Sequence, residues 1–252
     1  MTFKIGWPVA GDLTIWRRFM PDDQMMQALL ASFSDPEHAR RYGEGPQRFI
    51  PGFADLHRMT AILLAERAPH QAHVLVLGAG GGLELKALAA AQPEWRFVGV
   101  DPAGAMLTEA KRLLGSDAAR VTFCEGYIDD APLGPFDAAT CLLTLHFLAP
   151  EERRRTLAQL RRRLKPSAPF VAAHISFPQD SGARPLWLSR YGAFARASGA
   201  EPAQVEKMVA TVDAHLPMLT PEQDEAILRD AGFSDVAMFY AAINWRGWVA
   251  YA

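Results

Sequence analysis

Val74-Leu75-Val76-Leu77-Gly78-Ala79-Gly80-Gly81-Gly82 is an apolar run broken by glycines, and an amphipathic run over 83–91 follows at once. Four consecutive aliphatic residues read as a strand buried on both faces, as in a parallel sheet. Glycine lacks a Cβ, so the turn brings a ligand against bare backbone, while the first amides of the next helix stay free to donate. The spacing separates ligands. A dinucleotide fingerprint places glycine at the first, third and sixth positions, whereas the sixth here is Leu83; glycines at 78, 80 and 82 make G-x-G-x-G instead. Asp101 ends the next apolar run about twenty residues on, where a carboxylate accepts both hydroxyls of an adenosine ribose.

Outward from this turn, short apolar or β-branched runs at 73–77, 96–100, 120–125, 136–142 and 170–176 alternate with amphipathic runs at 83–91, 103–114 and 150–165. That alternation predicts successive βαβ units, hence an α/β, Rossmann-like doubly wound sheet. Thr220-Pro221-Glu222-Gln223 carries a capping Thr, a first-turn Pro and a Gln three residues after the cap, which predicts a helix running to Ala231 and stopped by Gly232. Strands follow over 235–243 and 245–252. Their short connection at Asn244 makes them antiparallel, so the sheet is expected to be mostly parallel with one antiparallel strand. The whole chain reads as a single domain: an N-terminal helical cap over 1–70, the core over 71–178 and 219–252, and a helical insertion over 179–218 with helices near 187–198 and 202–216. The cap is rich in aromatics and arginine (Trp7, Trp16, Arg17, Arg18, Phe19, Tyr42, Arg48, Phe49, Phe53), with helices expected over 22–32 and 54–68. Its first fifty residues and the loop 178–185, hinged at Gly182, are candidates for a lid.

Composition narrows the function. The 252 residues are 50% apolar and 21% charged, which suits a globular core, and 26 Lys plus Arg against 28 Asp plus Glu leave a formal charge of −2. No overall basic field draws the chain to nucleic acid or anionic lipid. No stretch approaches the roughly 20 apolar residues of a membrane helix, and no signal-peptide core forms at the start, so the expected location is cytoplasmic with no membrane partner. Cys124 and Cys141 sit in strand-like apolar runs as small buried hydrophobes. The seven histidines lack ligand spacing, and no metal site is expected.

In order along the chain, VLVLGAGGG, VGVDPAGAML (98–107), CEGYIDDAP (124–132) and FDAATCLLTLHFL (136–148), followed by LRRRLKPSAPF (160–170), resemble the motifs of class I S-adenosylmethionine-dependent methyltransferases. The resemblance covers about 72–252 and implies S-adenosylmethionine as cofactor. Gly78, Ala79, Gly80 and Gly82 would lie under its methionine part, Asp101 would bind the ribose, and Pro102, Met106, Tyr127, Ile128 and Leu143 would complete the site. Two positions depart from the family pattern: the acid usual in the first strand is Val76, and that usual after the glycine of the third segment is Tyr127. Asp129 or the Tyr127 ring is the substitute considered for the adenine and amino-group contacts. The flanks, FIPGFADLHRMTAILLAERA (49–68) and the run from Trp187 to the end, are similar to carboxy-S-adenosylmethionine synthases and their relatives. That family holds the additional carboxylate of its cofactor with an arginine in the inserted helix; this chain aligns Val209 there, with Lys207 nearby. Valine supplies no directed cation, so plain S-adenosylmethionine is expected.

The expected reaction is methyl transfer to a small, largely apolar acceptor enclosed by the cap and the insertion. The alternatives are a carboxy-S-adenosylmethionine synthase and a non-catalytic S-adenosylmethionine-binding protein. His146, after the fourth strand, and His174, near the end of the fifth, are the catalytic candidates as proton acceptors, set against a structural reading of both. Trp7, Trp16, Tyr42, Phe53, Trp187 and Tyr191 are candidate pocket walls. Arg153–Arg155 and Arg161–Arg163 with Lys165 share a helix, but Glu151 and Glu152 begin it and cations suit its end, so nucleic-acid binding is disfavoured. A small-molecule substrate is expected, and a homodimer is left open.

Overall fold

The computed structural model describes residues 31–252. The expected helix over 22–32 lies almost wholly outside them, as do Trp7, Trp16, Arg17, Arg18 and Phe19. Seven strands, β1 (His73–Leu77), β2 (Arg96–Asp101), β3 (Val121–Glu125), β4 (Ala138–Leu142), β5 (Pro169–Ile175), β6 (Ser234–Ala242) and β7 (Trp245–Tyr251), form one sheet in the order β3-β2-β1-β4-β5-β7-β6. β1 to β5 pair in parallel, while β7 runs antiparallel to β5 and, as the short turn at Asn244 requires, to β6.

Side chains alternate between two apolar layers. Val74, Val76, Ala138, Leu142, Val171 and Ala173 face one side, together with Leu56 and Leu64 of α3 (Phe53–Ala65), Leu85 and Leu88 of α4 (Leu83–Ala91) and Leu107 of α5 (Gly104–Leu114). Leu75, Leu77, Val98, Val100, Ala139, Cys141 and Ala172 face the other, against Leu157 and Leu160 of α6 (Pro150–Arg161) and Ile227 and Leu228 of α9 (Pro221–Asp230). Burial on both faces is why β1, β4 and β5 are mostly apolar, Thr140 of β4 and His174 of β5 being buried polar exceptions. β3 begins one residue later than expected, because 115–120 forms a tight 3-10 turn whose Arg120 bonds the carbonyls of Ala89, Gln92 and Trp95. β4 begins two residues later, Phe136 making only an isolated bridge to Leu164.

Before the core, the short helices α1 (Pro36–Arg41) and α2 (Pro46–Phe49) lead into α3. Their turn is fastened to the β6–β7 hairpin, where Trp245 Nε1 donates to the Phe49 carbonyl at 3.1 Å and the Tyr240 hydroxyl donates to that of Pro51. The inserted helices α7 (Ala183–Ala197) and α8 (Pro202–His215) pack closely because Gly192 has no side chain: a Cβ there would meet Val209 at 3.3 Å and Val205 at 3.4 Å. In the preceding loop Asp180 accepts from the Gly182 and Ala183 amides, starting α7. α9 opens with the expected capping box, Gln223 N donating to Thr220 Oγ1 and Thr220 N to Gln223 Oε1. Such a cap stabilises a helix by about 1 kcal/mol.

Candidate functional site

The glycine turn lies where β1 hands over to α4. Gly78 and Ala79 donate to the Val100 carbonyl at 2.8 and 3.0 Å, which ties the turn to the end of β2. Gly78, Gly80 and Gly82 have φ of 78°, 49° and 84°, a region that side chains disfavour. Their individual needs differ. A Cβ on Gly78 would stand 2.0 Å from Thr144 Oγ1, and one on Gly82 would stand 2.8 Å from the Ala110 Cα of α5. Asp101 closes the arrangement: Oδ2 accepts the Gly80 amide and Oδ1 the Ala103 amide, each at 2.9 Å. Desolvation, opposed by those two amides, raises its carboxyl to about 6.

A pocket opens above this turn. Its walls include Gly78, Ala79, Gly80, Asp101, Pro102, Met106, Tyr127, Ile128 and Leu143, so nine of the ten expected binding residues converge. Leu143 takes φ of 59° just past β4, a strained turn that sets it against the cavity. Gly82 is not among the lining residues; its glycine serves the close approach of the turn to α5. Asp129 is not in the lining either and pairs with Arg155 at 2.7 Å, whereas the half-buried Tyr127 is part of the wall.

Among the described residues, the aromatics that line the pocket are Phe33, Tyr42, Phe53, Tyr127 and Phe147, the first packing edge-on to both Tyr42 and Phe147. Tyr191 is buried between Phe49 and Trp245, and Trp187 lies beneath the guanidinium groups of Arg190 and Arg246; neither reaches the pocket. No lining residue comes from 179–218, so the expected enclosure by the insertion is not seen around this pocket. Lining residues that the sequence did not single out include His57, Glu84 and Glu152. Their signal was faint, since each lies on a helix whose apolar spacing marks only a buried face.

His146 and His174 do not line the pocket. They are 4% and 1% exposed, and desolvation pushes both below the ordinary imidazole value. His146 packs against Phe147 and Trp245. His174 Nε2 lies 3.2 Å from Asp224 Oδ2, and Asp224 in turn is ion-paired with Arg153, both side chains 1% exposed. Desolvation pushes Asp224 up, but His174 and Arg153 outweigh it and hold the carboxyl below its usual value. Arg153 also donates to the Pro217 carbonyl at 3.2 Å, so the group joins α6, β5 and α9 as an internal brace.

The other arginines of α6 are similarly engaged. Arg154 pairs with Glu151, Arg155 with Glu152 and Asp129, and Arg161 donates to the Gly232 carbonyl, while buried Arg163 binds the Gln159 and Ala131 carbonyls. Among the described residues no His, Cys, Asp and Glu side chains gather in a group able to hold a metal ion, and no helix is long and apolar enough to cross a membrane.

Residues 74–167 match a family model described as a methyltransferase domain. The carboxy-S-adenosyl-L-methionine synthase of Chromohalobacter salexigens is 27% identical over 209 residues, 81% of this chain and 77% of that protein. Magnesium protoporphyrin IX methyltransferase from Synechocystis, solved with bound SAH, superposes with a TM-score of 0.63 at 17% identity, covering 90% of this chain and 98% of the other. Human N-acetylserotonin methyltransferase, solved with SAM, superposes with a TM-score of 0.59 at 14% identity over 92% of this chain. The chain spans only 59% of that longer protein.

Proposed function

We propose, from the premise that residues 74–167 belong to the methyltransferase-domain family and sit on the class I fold, that the chain transfers a methyl group from S-adenosylmethionine to a small, largely apolar acceptor. The observation that carries this reading is the Asp101 carboxylate fixed by two backbone amides beside a side-chain-free turn, at the floor of an aromatic-walled pocket. The residues present fit the cofactor: a carboxylate for a ribose diol, and bare backbone at Gly78 and Gly80 for close approach. When bound, S-adenosylmethionine supplies a methyl carbon activated by its sulfonium.

The chain's part is to bind, orient and exclude water. In this reading Gly78, Ala79 and Gly80 support the methionine part and Asp101 accepts the ribose hydroxyls. Pro102, Met106, Tyr127, Ile128 and Leu143 flank the nucleoside, and Phe33, Tyr42, Phe53 and Phe147 shield the reacting end. Gly82 acts through packing. His146 and His174, enclosed and away from the pocket lining, are given structural rather than proton-transfer roles. A carboxy-S-adenosylmethionine synthase needs a cation for the additional carboxylate; Val209 instead packs toward Gly192, and Lys207 is exposed. The reading includes a cytoplasmic location, one domain with residues 1–70 and 179–218 as additions to the core, and no nucleic-acid partner. Its support on the last point is the engagement of the α6 arginines with internal partners.

Calorimetry with S-adenosylmethionine and S-adenosylhomocysteine is expected to give one site per chain, and a library of small acceptors to release S-adenosylhomocysteine. No binding at millimolar nucleoside would overturn the reading. The mass of any co-purified cofactor separates the methyl from the carboxymethyl donor.

A further inference from the structure

Three acidic side chains line the pocket, and two are already engaged. Asp101 accepts the Gly80 and Ala103 amides, and Glu152 pairs with Arg155 at 2.6 Å. The third, Glu84, has no such partner. It is 6% exposed, lines the same cavity, and its Oε1 is buried without a hydrogen bond. It stands in the first turn of α4, where the free amides of a helix start favour an anion over a neutral group.

Placement gives this carboxyl a direction. Asp101 ends β2 on one side of β1, whereas Glu84 approaches Thr140 of β4 on the other; Thr140 pairs in register with Val76, the residue in place of the strand acid noted above. The two carboxyls therefore flank the glycine turn from opposite sides. The groups beside Glu84 are the Thr140 hydroxyl and Cys141 thiol of β4, and the His57 imidazole of α3, which burial holds neutral by lowering it to about 4, lines the same cavity. Arg155, the cation in the lining, is engaged by Glu152 and Asp129. A buried carboxyl among neutral groups lacks a counter-charge, and the cavity is the open side from which one can arrive.

We infer that Glu84 makes this end of the pocket a subsite for a protonated amine. The inference deepens the proposed function and rests on it only for the identity of the nucleoside. The ammonium has two chemical sources, the amino-acid part of the methyl donor or an amine on the acceptor. Binding it would ionise Glu84, whose carboxyl desolvation raises to about 7 against the opposing Thr140 hydroxyl, so a proton is released to solvent below that pH.

The test uses the full chain and Glu84→Gln, which keeps shape and removes charge. Calorimetry at pH 6.5, in buffers of differing ionisation enthalpy, compares S-adenosylhomocysteine with 5′-methylthioadenosine, which lacks the amino-acid part, and benzylamine with benzyl alcohol in the nucleoside-saturated protein. If the donor supplies the amine, the substitution weakens S-adenosylhomocysteine about ten- to a hundredfold and abolishes its additional proton release, leaving methylthioadenosine unchanged. If the acceptor supplies it, benzylamine alone loses binding and proton release. Equal weakening of both nucleosides, or no change with any probe, overturns the inference. Failure of the wild-type protein to bind either nucleoside defeats the methyltransferase reading instead, and benzylamine binding to the nucleoside-free protein then decides the role of Glu84.

Discussion

Asp101 holds Gly80 by its backbone, Oδ2 accepting the Gly80 amide at 2.9 Å, so the proposed ribose ligand also fixes the turn that would lie beneath the cofactor. Asp101→Ala removes both functions. Loss of charged hydrogen bonds worth about 1.5–3 kcal/mol is expected to weaken S-adenosylhomocysteine about ten- to a hundredfold in calorimetry. Asp101→Asn keeps the shape and is expected to fold, with a smaller loss. Wild-type affinity in Asp101→Ala would remove Asp101 from the site.

The pH dependence of that affinity has a definite sign. Desolvation raises the Asp101 carboxyl to about 6, so below this pH the free protein holds a proton that a ribose-binding carboxylate must release. Affinity for 5′-methylthioadenosine is therefore expected to be level above about pH 7 and to fall by up to about tenfold for each pH unit below about 6. Asp101→Asn should flatten the profile. The same shift, measured from the ordinary 3.8, means that the stability Asp101 contributes to the ligand-free protein is full at low pH and is lost as pH rises through about 6.

Alternation made the sheet legible: Val74, Leu75, Val76 and Leu77 are all buried, and a both-sided strand has no other pattern. The place of Asp101 beside the glycine turn was legible for a related reason, since parallel neighbours β1 and β2 end at the same edge of the sheet. The histidines were not. Position beyond a strand end pointed His146 and His174 at the ligand, but strand pleat and the brace from α6 and α9 place them among apolar side chains and Asp224. Gly82 matched the motif as well as Gly78 and Gly80 did, yet spacing does not reveal whether a missing Cβ makes room for a ligand or for a neighbouring helix. Glu84 and His57 were hidden because a polar residue facing a cavity occupies the same helical positions as one facing the core.

The glycines are expected to separate in mutants. In Gly82→Ala the new Cβ meets Ala110 Cα at 2.8 Å on a backbone with φ of 84°, a clash with main chain that must be relieved by moving α5. A loss of about 1–3 kcal/mol in urea unfolding is expected, with nucleoside affinity of the folded protein changed by less than about threefold. Gly78→Ala drives a Cβ into Thr144, itself a lining residue, and is expected to abolish nucleoside binding measurably before unfolding the chain. Gly82→Ala losing affinity without losing stability would restore it to the cofactor set.

Arg153 and Asp224 test the structural reading of the histidines. Both are 1% exposed, so Asp224→Ala leaves a guanidinium buried with only carbonyl partners and His174 without its carboxylate. Breaking a buried pair from one side costs about 3–5 kcal/mol, and much of that cost is the stranded charge rather than the lost contact. Asp224→Ala with Arg153→Met removes the stranded charge, so the double variant is expected to regain a large part of the stability lost in the single one; urea unfolding of the two singles and the double measures the coupling. His174→Gln keeps a polar side chain beside Asp224 and is expected to lower stability while leaving S-adenosylhomocysteine affinity within about twofold. Turnover is the deciding readout. If a catalysed acceptor is found and His174→Gln loses rate a hundredfold or more at unchanged stability, the imidazole takes part in the reaction and the brace is not its main role.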